Sequence, residues 1–214
     1  MDFLETIDAN RNRFRRYNDI KFQRFQQLIP NNTIKRAINT IPFLLGVNDK
    51  RLPGFVEGEV PDGVWRYVID DETRRYIKGR FPTAKTDIVR SNPFVEMLAV
   101  MGSVGTVAYN KKSDFDYWVC VNRRSVTAGQ FDNFKKKVDG IQRWVSKEIE
   151  LPVHMFINNI ESVKQNIFAE DDEEAFGTTV GAVLKDEFFR SSIIVAGKTP
   201  FWWVVPRFTR DEEY

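Results

Sequence analysis

A chain of 214 residues lies near the upper edge of the common domain size, so it holds either one large domain or a core domain with a helical arm. Hydrophobic residues at 42%, with 18 Phe and 5 Trp, supply a packed core and exclude disorder for most of the chain. With 32 Lys and Arg against 30 Asp and Glu, the net charge of +2 lacks the basic excess of a nucleic-acid surface, so any polyanion site has to be local.

Taken in chain order, the first residues alternate charged and apolar positions and lack the continuous apolar stretch of a secretory signal. Apolar residues from Phe3 to Leu28 recur at helical spacing among many Arg and Gln, which predicts one or two amphipathic helices from Asp2 to about Leu28. Asn31 to Thr33 can cap a second short helix running to about Ile41. An irregular, Pro- and Gly-rich segment follows, after which Asp70 or Asp71 can cap a helix through Tyr76.

From Glu96 onward, short apolar runs alternate with helical stretches, the pattern of an α/β sheet domain. The expected strands are Met97 to Met101, Phe115 to Val121 and Val153 to Ile157, with a helix from Gln130 to Ile149 between the last two. The acidic stretch from Ala169 to Gly177 reads as a solvated loop. Val180 to Ala196 reads as a further helix ended by Gly197, and Phe201 to Val205 as an aromatic strand. The longest apolar runs fall far short of a membrane span. Cys120, the one cysteine, has neither a disulfide partner nor a neighbouring ligand for zinc, so a reducing, cytoplasmic setting is expected.

The chemistry concentrates in VMGSVGTVAYNKKSDFDYWVCV, Val100 to Val121. Gly102 leaves backbone amides open to a phosphate, the Ser103 hydroxyl adds a donor, and Gly105 gives room in the same turn. Asp114 and Asp116 lie two apart in a strand, which puts both carboxylates on one face as hard oxygen ligands for Mg²⁺ or Mn²⁺ shared with a triphosphate. Phe115, Tyr117 and Val119 then point into the core. Such a pair suits in-line phosphoryl transfer with two metal ions. Lys111 and Lys112, just before the pair, are natural triphosphate ligands or plain surface cations, and the same holds for Lys185 and Arg190. Asp186 and Glu187 can orient a cation or a helix.

This text resembles the N-terminal catalytic portion of class I adenylate cyclases, a branch of the nucleotidyltransferase superfamily that includes DNA polymerase beta. Three blocks match in order: Leu52 to Val64, Met101 to Val121, and Leu184 to Pro206. The resemblance implies conversion of ATP to cyclic AMP and pyrophosphate by attack of the ribose 3′-hydroxyl on the α-phosphate. It also implies that Ser103, Ser113, Asp114, Asp116 and Trp118 occupy active-site positions. Trp118 shares the carboxylate face by alternation, and either supports the site, stacks near the base, or packs in the core. The fold expected is α/β (α+β), a nucleotidyltransferase-like mixed sheet of four or five strands. Flanking helices are expected on one side, with an N-terminal helical arm over residues 1–85 and the sheet domain over 86–214, or one continuous domain.

Members of the superfamily place a third carboxylate on the next strand; here the text reads ELPVHMFINN, with Glu150 just before the strand and no acid within it. Glu150, His154 or neither fills that role. Cyclases of this class are also far longer, so a C-terminal regulatory region is expected to be missing from a chain that ends at Tyr214. Two other readings keep the same site: transfer of a nucleotidyl group to an external hydroxyl, and a nucleotide-binding module with weak catalysis.

Overall fold

The computed structural model describes residues 2–29, 31–87, 92–103, 109–110, 113–164, 187–188, 190–200 and 204–206. The N-terminal periodicity resolves into a single 26-residue helix, α1 (Phe3–Leu28), opened by a capping box between Asp2 and Glu5. The Asn31 side chain accepts from the Thr33 and Ile34 amides and starts α2 (Asn32–Asn39). A further apolar helix, α3 (Ile41–Gly46), follows directly and is buried along its whole length. Asp70 caps α4 (Asp71–Arg80), which runs a turn beyond the expected end.

The sheet has the order β3-β2-β1-β4, with β1 (Val95–Met101), β2 (Phe115–Val121), β3 (Val153–Asn159) and β4 (Ile193–Gly197). β1 is antiparallel to both β2 and β4, while β2 and β3 are parallel. The parallel pair needs a crossover, and α5 (Ala128–Ile149) supplies it as the expected strand-helix-strand unit. Short α6 (Ile160–Lys164) leaves β3. Beyond the sequence expectation, Ile193 to Gly197 forms a strand where a helix end was read. Its β-branched Ile-Ile-Val run fits a pleated strand paired to β1, and tertiary pairing decided between two periods that so short a run cannot separate. Glu187, Phe188, Arg190 and Ser191 are helical, whereas the rest of the stretch 180–189 lies outside the described residues, as do Ala169 to Gly177 and Phe201 to Trp203. Val204 and Val205, the described end of the expected aromatic strand, form a turn.

One hydrophobic cluster runs from Phe25 and Ile29 of α1 through α2, α3 and α5 to Leu98, Val100, Phe115, Tyr117, Val119 and Val121 on one face of the sheet. The opposite face carries a smaller cluster: Met97, Ala99 and Met101 of β1, Trp118 and Cys120 of β2, Val163 of α6, and Phe188. Helical residues therefore flank both faces rather than one. Cys120 is a buried free thiol whose pKa burial pushes up, which makes it inert. Among the described residues, no helix is long and apolar enough to cross a membrane.

Among the described residues, the outer edge of β4 meets side chains of α1 and no further strand. The Asn18 amide donates to the Ile194 carbonyl at 2.9 Å and its oxygen accepts from the Ile194 N–H at 2.7 Å, so one side chain satisfies both groups of an edge residue. Lys21 Nζ donates to the Ser192 carbonyl at 2.7 Å, and Asn10 to the Val204 carbonyl at 2.9 Å. Asn18→Ala removes both Ile194 bonds and is expected to cost about 2 kcal/mol, at roughly 1 kcal/mol each. Urea unfolding measures this, and a loss below about 0.5 kcal/mol would show that water replaces the clamp at no cost.

Candidate active site at one end of the sheet

β1 ends at Met101, and the backbone turns at Gly102 with φ of 88°, in the left-handed region that glycine adopts without a steric cost. Met101 is the cross-strand partner of Asp116, so the turn lies against the second carboxylate. A Cβ placed on Gly102 would stand 3.6 Å from Asp116 Oδ2, which measures how close backbone and carboxylate come. Ser103 follows in the turn, half-buried. Asp114 is exposed just ahead of β2, and Asp116 is half-buried within it. Phe115, Tyr117 and Val119 are buried on the other face, as alternation requires.

Ser113 shapes the entry to β2. It is buried, its Oγ accepts from the Asn110 N–H at 3.0 Å, and its own N–H donates to the Asn110 carbonyl at 3.0 Å. The hydroxyl closes a turn and sets the direction from which Asp114 and Asp116 enter the sheet. Trp118, two residues beyond Asp116 on the same face, is 4% exposed and stacks on Phe188 with centroids 4.5 Å apart and planes at 16°. It packs in the smaller hydrophobic cluster against Phe188. Lys111, Lys112, Gly105, Lys185 and Asp186 lie outside the described residues, and Arg190 is exposed.

Asp116 is the electrostatic centre. Burial comes first among the causes that raise its pKa above the ordinary carboxylate value; the charges of Asp114 and Glu187 act in the same direction, and His154 opposes them. His154 is exposed on β3 directly opposite Asp116 in the parallel register, on the site face where a third acid was sought. Glu150 instead takes the left-handed cap at the end of α5, with φ of 57°, and is exposed. Among the described residues, no three His, Cys, Asp or Glu side chains are grouped to hold a metal ion.

Sequence reasoning misses Ser191, and reads Glu187 only as a group that can orient a cation or a helix. Ser191 Oγ accepts the Gly102 N–H at 3.2 Å and donates to the Glu187 carbonyl at 2.9 Å, so the amide expected to meet a phosphate is held by a hydroxyl. Glu187 adds its charge to the field at Asp116. Both belong to the third matching block, LKDEFFRSS, but only the pairing of β4 with β1 carries that block to the Gly102 turn.

A mixed sheet that sets a glycine turn and two carboxylates side by side at one end defines an α+β domain with an acidic site on one face. The chain belongs to the adenylate cyclase NT domain family, whose model matches residues 6–203. It is 27% identical over 176 residues to an adenylate cyclase of Shigella flexneri and 26% identical over 218 residues to one of Proteus mirabilis, covering 80% and 99% of this chain. An adenylate cyclase of Escherichia coli K12 is 26% identical over 176 residues, again 80% of this chain. These matches span only 20%, 24% and 20% of the relatives' own lengths. No solved structure matches the chain.

Proposed function

We propose that this chain is the catalytic portion of a cytoplasmic adenylate cyclase that converts ATP to cyclic AMP and pyrophosphate. The observation that carries the reading is the contact between the Gly102 turn and Asp116, with the charge of Asp114 acting on it from just ahead of the strand. A triphosphate bound there accepts the Gly102 N–H in place of the neutral Ser191 hydroxyl, and Ser103 adds its own hydroxyl to the same group. The O3′–Pα bond forms as the bond from Pα to the bridging oxygen breaks, pyrophosphate leaves with that electron pair, and the 3′-hydroxyl proton passes to water.

The donor set fits Mg²⁺ or Mn²⁺. Asp114 and Asp116 present hard carboxylate oxygens, and the like charges that raise Asp116 are those a bound cation would neutralise. When bound, such ions activate the attacking hydroxyl and stabilise the charge on the leaving oxygens. Asp114 and Asp116 hold the ions, Ser113 fixes the approach of the strand, and Trp118 keeps the floor of the site rigid. Lys111 and Lys112, close to Asp114 in sequence, are triphosphate ligands in this reading.

A second reading is favoured by one observation. With His154 rather than an acid opposite Asp116, a domain that binds ATP without turning it over also fits. Incubation of the chain with ATP and Mg²⁺ or Mn²⁺, with Asp114→Asn/Asp116→Asn as the blank, separates the two. Metal-dependent cyclic AMP and pyrophosphate, absent from the blank, is the expected result. ATP binding by calorimetry without either product would favour the binding module, and a nucleotide ester on an added acceptor would replace cyclisation by external transfer.

A further inference from the structure

A groove of about 660 Å³ lies between α1 and β4; its charged lining is Arg15, Arg66 and one carboxylate, Asp19, with Phe14 and Phe22 as aromatic walls. It lies across β4 from the carboxylate pair and shares no residue with it: Ile194 and Gly197 in its wall pair with Ala99 and Met97, two and four residues down β1 from Met101. Arg11, Arg15 and Arg66 gather around it. Burial and then the charges of Arg66 and Arg11 push the Arg15 pKa down, while Asp19 and Asp8 partly offset them. Asp8 is already paired with Arg11 at 2.7 Å.

The pairing around Arg15 is incomplete. Among the described residues, neither Arg15 nor Arg66 forms an ion pair, and the buried Nε of Arg11 has no hydrogen-bond partner. Arg66 has φ of 52°, a left-handed conformation that a long side chain adopts only under constraint. The constraint is visible: the Trp65 N–H donates to the Val95 carbonyl at 3.0 Å and the Tyr67 N–H to the Val64 carbonyl at 3.4 Å, which folds the chain sharply at Arg66. Like charges brought together on a strained turn beside a groove with aromatic walls are the arrangement an anion would compensate.

We propose that the groove between α1 and β4 binds a dianionic phosphate group through the guanidiniums of Arg15 and Arg66. The group is a free phosphate ion or the phosphate of a monoester, and both present the same oxygens to a guanidinium fork. This site is independent of the catalytic reading, since neither Asp114 nor Asp116 takes part.

The test is thermal melting and calorimetry at pH 8 with inorganic phosphate and with O-phosphoserine, each against potassium chloride of equal ionic strength. The expected result is saturable binding that raises Tm, weakened about tenfold in Arg15→Gln and lost in Arg15→Gln/Arg66→Asn. Asn tolerates the left-handed backbone, so the double variant is expected to melt no lower than the native chain in chloride alone. Tighter binding of phosphoserine assigns the site to a monoester, and equal binding to the free ion. No saturable binding, or binding unchanged in the double variant because the anion sits at the Gly102 turn, would overturn the proposal.

Discussion

Asp116→Asn is expected to reduce cyclic AMP formation on the order of 10²- to 10³-fold while making the domain more resistant to heat. The loss follows from the proposed metal role, because an amide cannot supply the negative charge that holds a divalent ion, and several kcal/mol of transition-state stabilisation disappear with it. The gain follows from the carboxyl's own surroundings. Burial, Asp114 and Glu187 raise its folded-state pKa above the ordinary value of 3.8, so the folded state binds the proton more tightly than the unfolded state. Stability from this group is therefore full below about pH 3.8 and falls as pH rises through the folded value, leaving the ionised group destabilising at neutral pH. Asparagine removes that penalty. Melting curves from pH 4 to 8 are expected to show the native chain losing ground to the variant as pH rises, by a modest amount because Asp116 is only half-buried. A variant that is both inactive and less stable at neutral pH would show that Asp116 is structural instead.

Gly54→Ala is expected to destabilise the fold by about 3 kcal/mol or more, from overpacking and backbone strain together. Gly54 lies in the first matching block, Leu52 to Val64, and has φ of 77°. A Cβ there would meet the Lys137 carbonyl oxygen at 2.8 Å and Ile141 Cγ1 at 2.5 Å, and the first of these is helix backbone that cannot turn aside. The partner surface is equally bare: a Cβ on Gly140 would come within 2.9 Å of Gly54 Cα. Beside this contact the fully buried Lys137 donates from Nζ to the Val47 carbonyl at 2.5 Å, tying the same loop to α5. Separating loop and helix would therefore also weaken a buried charge-assisted bond. At 2 to 4 °C per kcal/mol for a chain of this size, a fall in Tm of roughly 10 °C is expected. Gly140→Ala should lose less, since alanine returns about 1 kcal/mol of helix propensity. Equal melting of Gly54→Ala and the native chain would mean that the loop has room to shift.

Local features were legible from the residues alone. Alternation in Phe115 to Val121 separates the Asp116 and Trp118 face from the core face, because a strand has a period of two whatever it packs against. The three-and-four spacing of Phe131, Phe134, Val138, Ile141 and Val145 marks α5 and its buried stripe, and Asn31 and Asp70 cap α2 and α4 through bonds reaching only two or three residues. The adenylate cyclase resemblance rests on Leu52 to Val64, Met101 to Val121 and Leu184 to Pro206, and the family model matches residues 6–203.

Only the tertiary structure decided what distant segments do to one another. Ile193 to Gly197 is a strand because β1 offers it a free edge about 95 residues earlier, and a short apolar run has no local preference strong enough to oppose that pairing. Through it Ser191 reaches the Gly102 amide and Glu187 reaches the field of Asp116. The register of β3 puts His154 opposite Asp116, and the turn at Arg66 joins α1 in forming the arginine groove. Periodicity and capping are set by neighbours within a turn or two along the chain. Sheet order, register and the meeting of charges depend on which faces find each other in space, and the amino-acid order states that only through the fold.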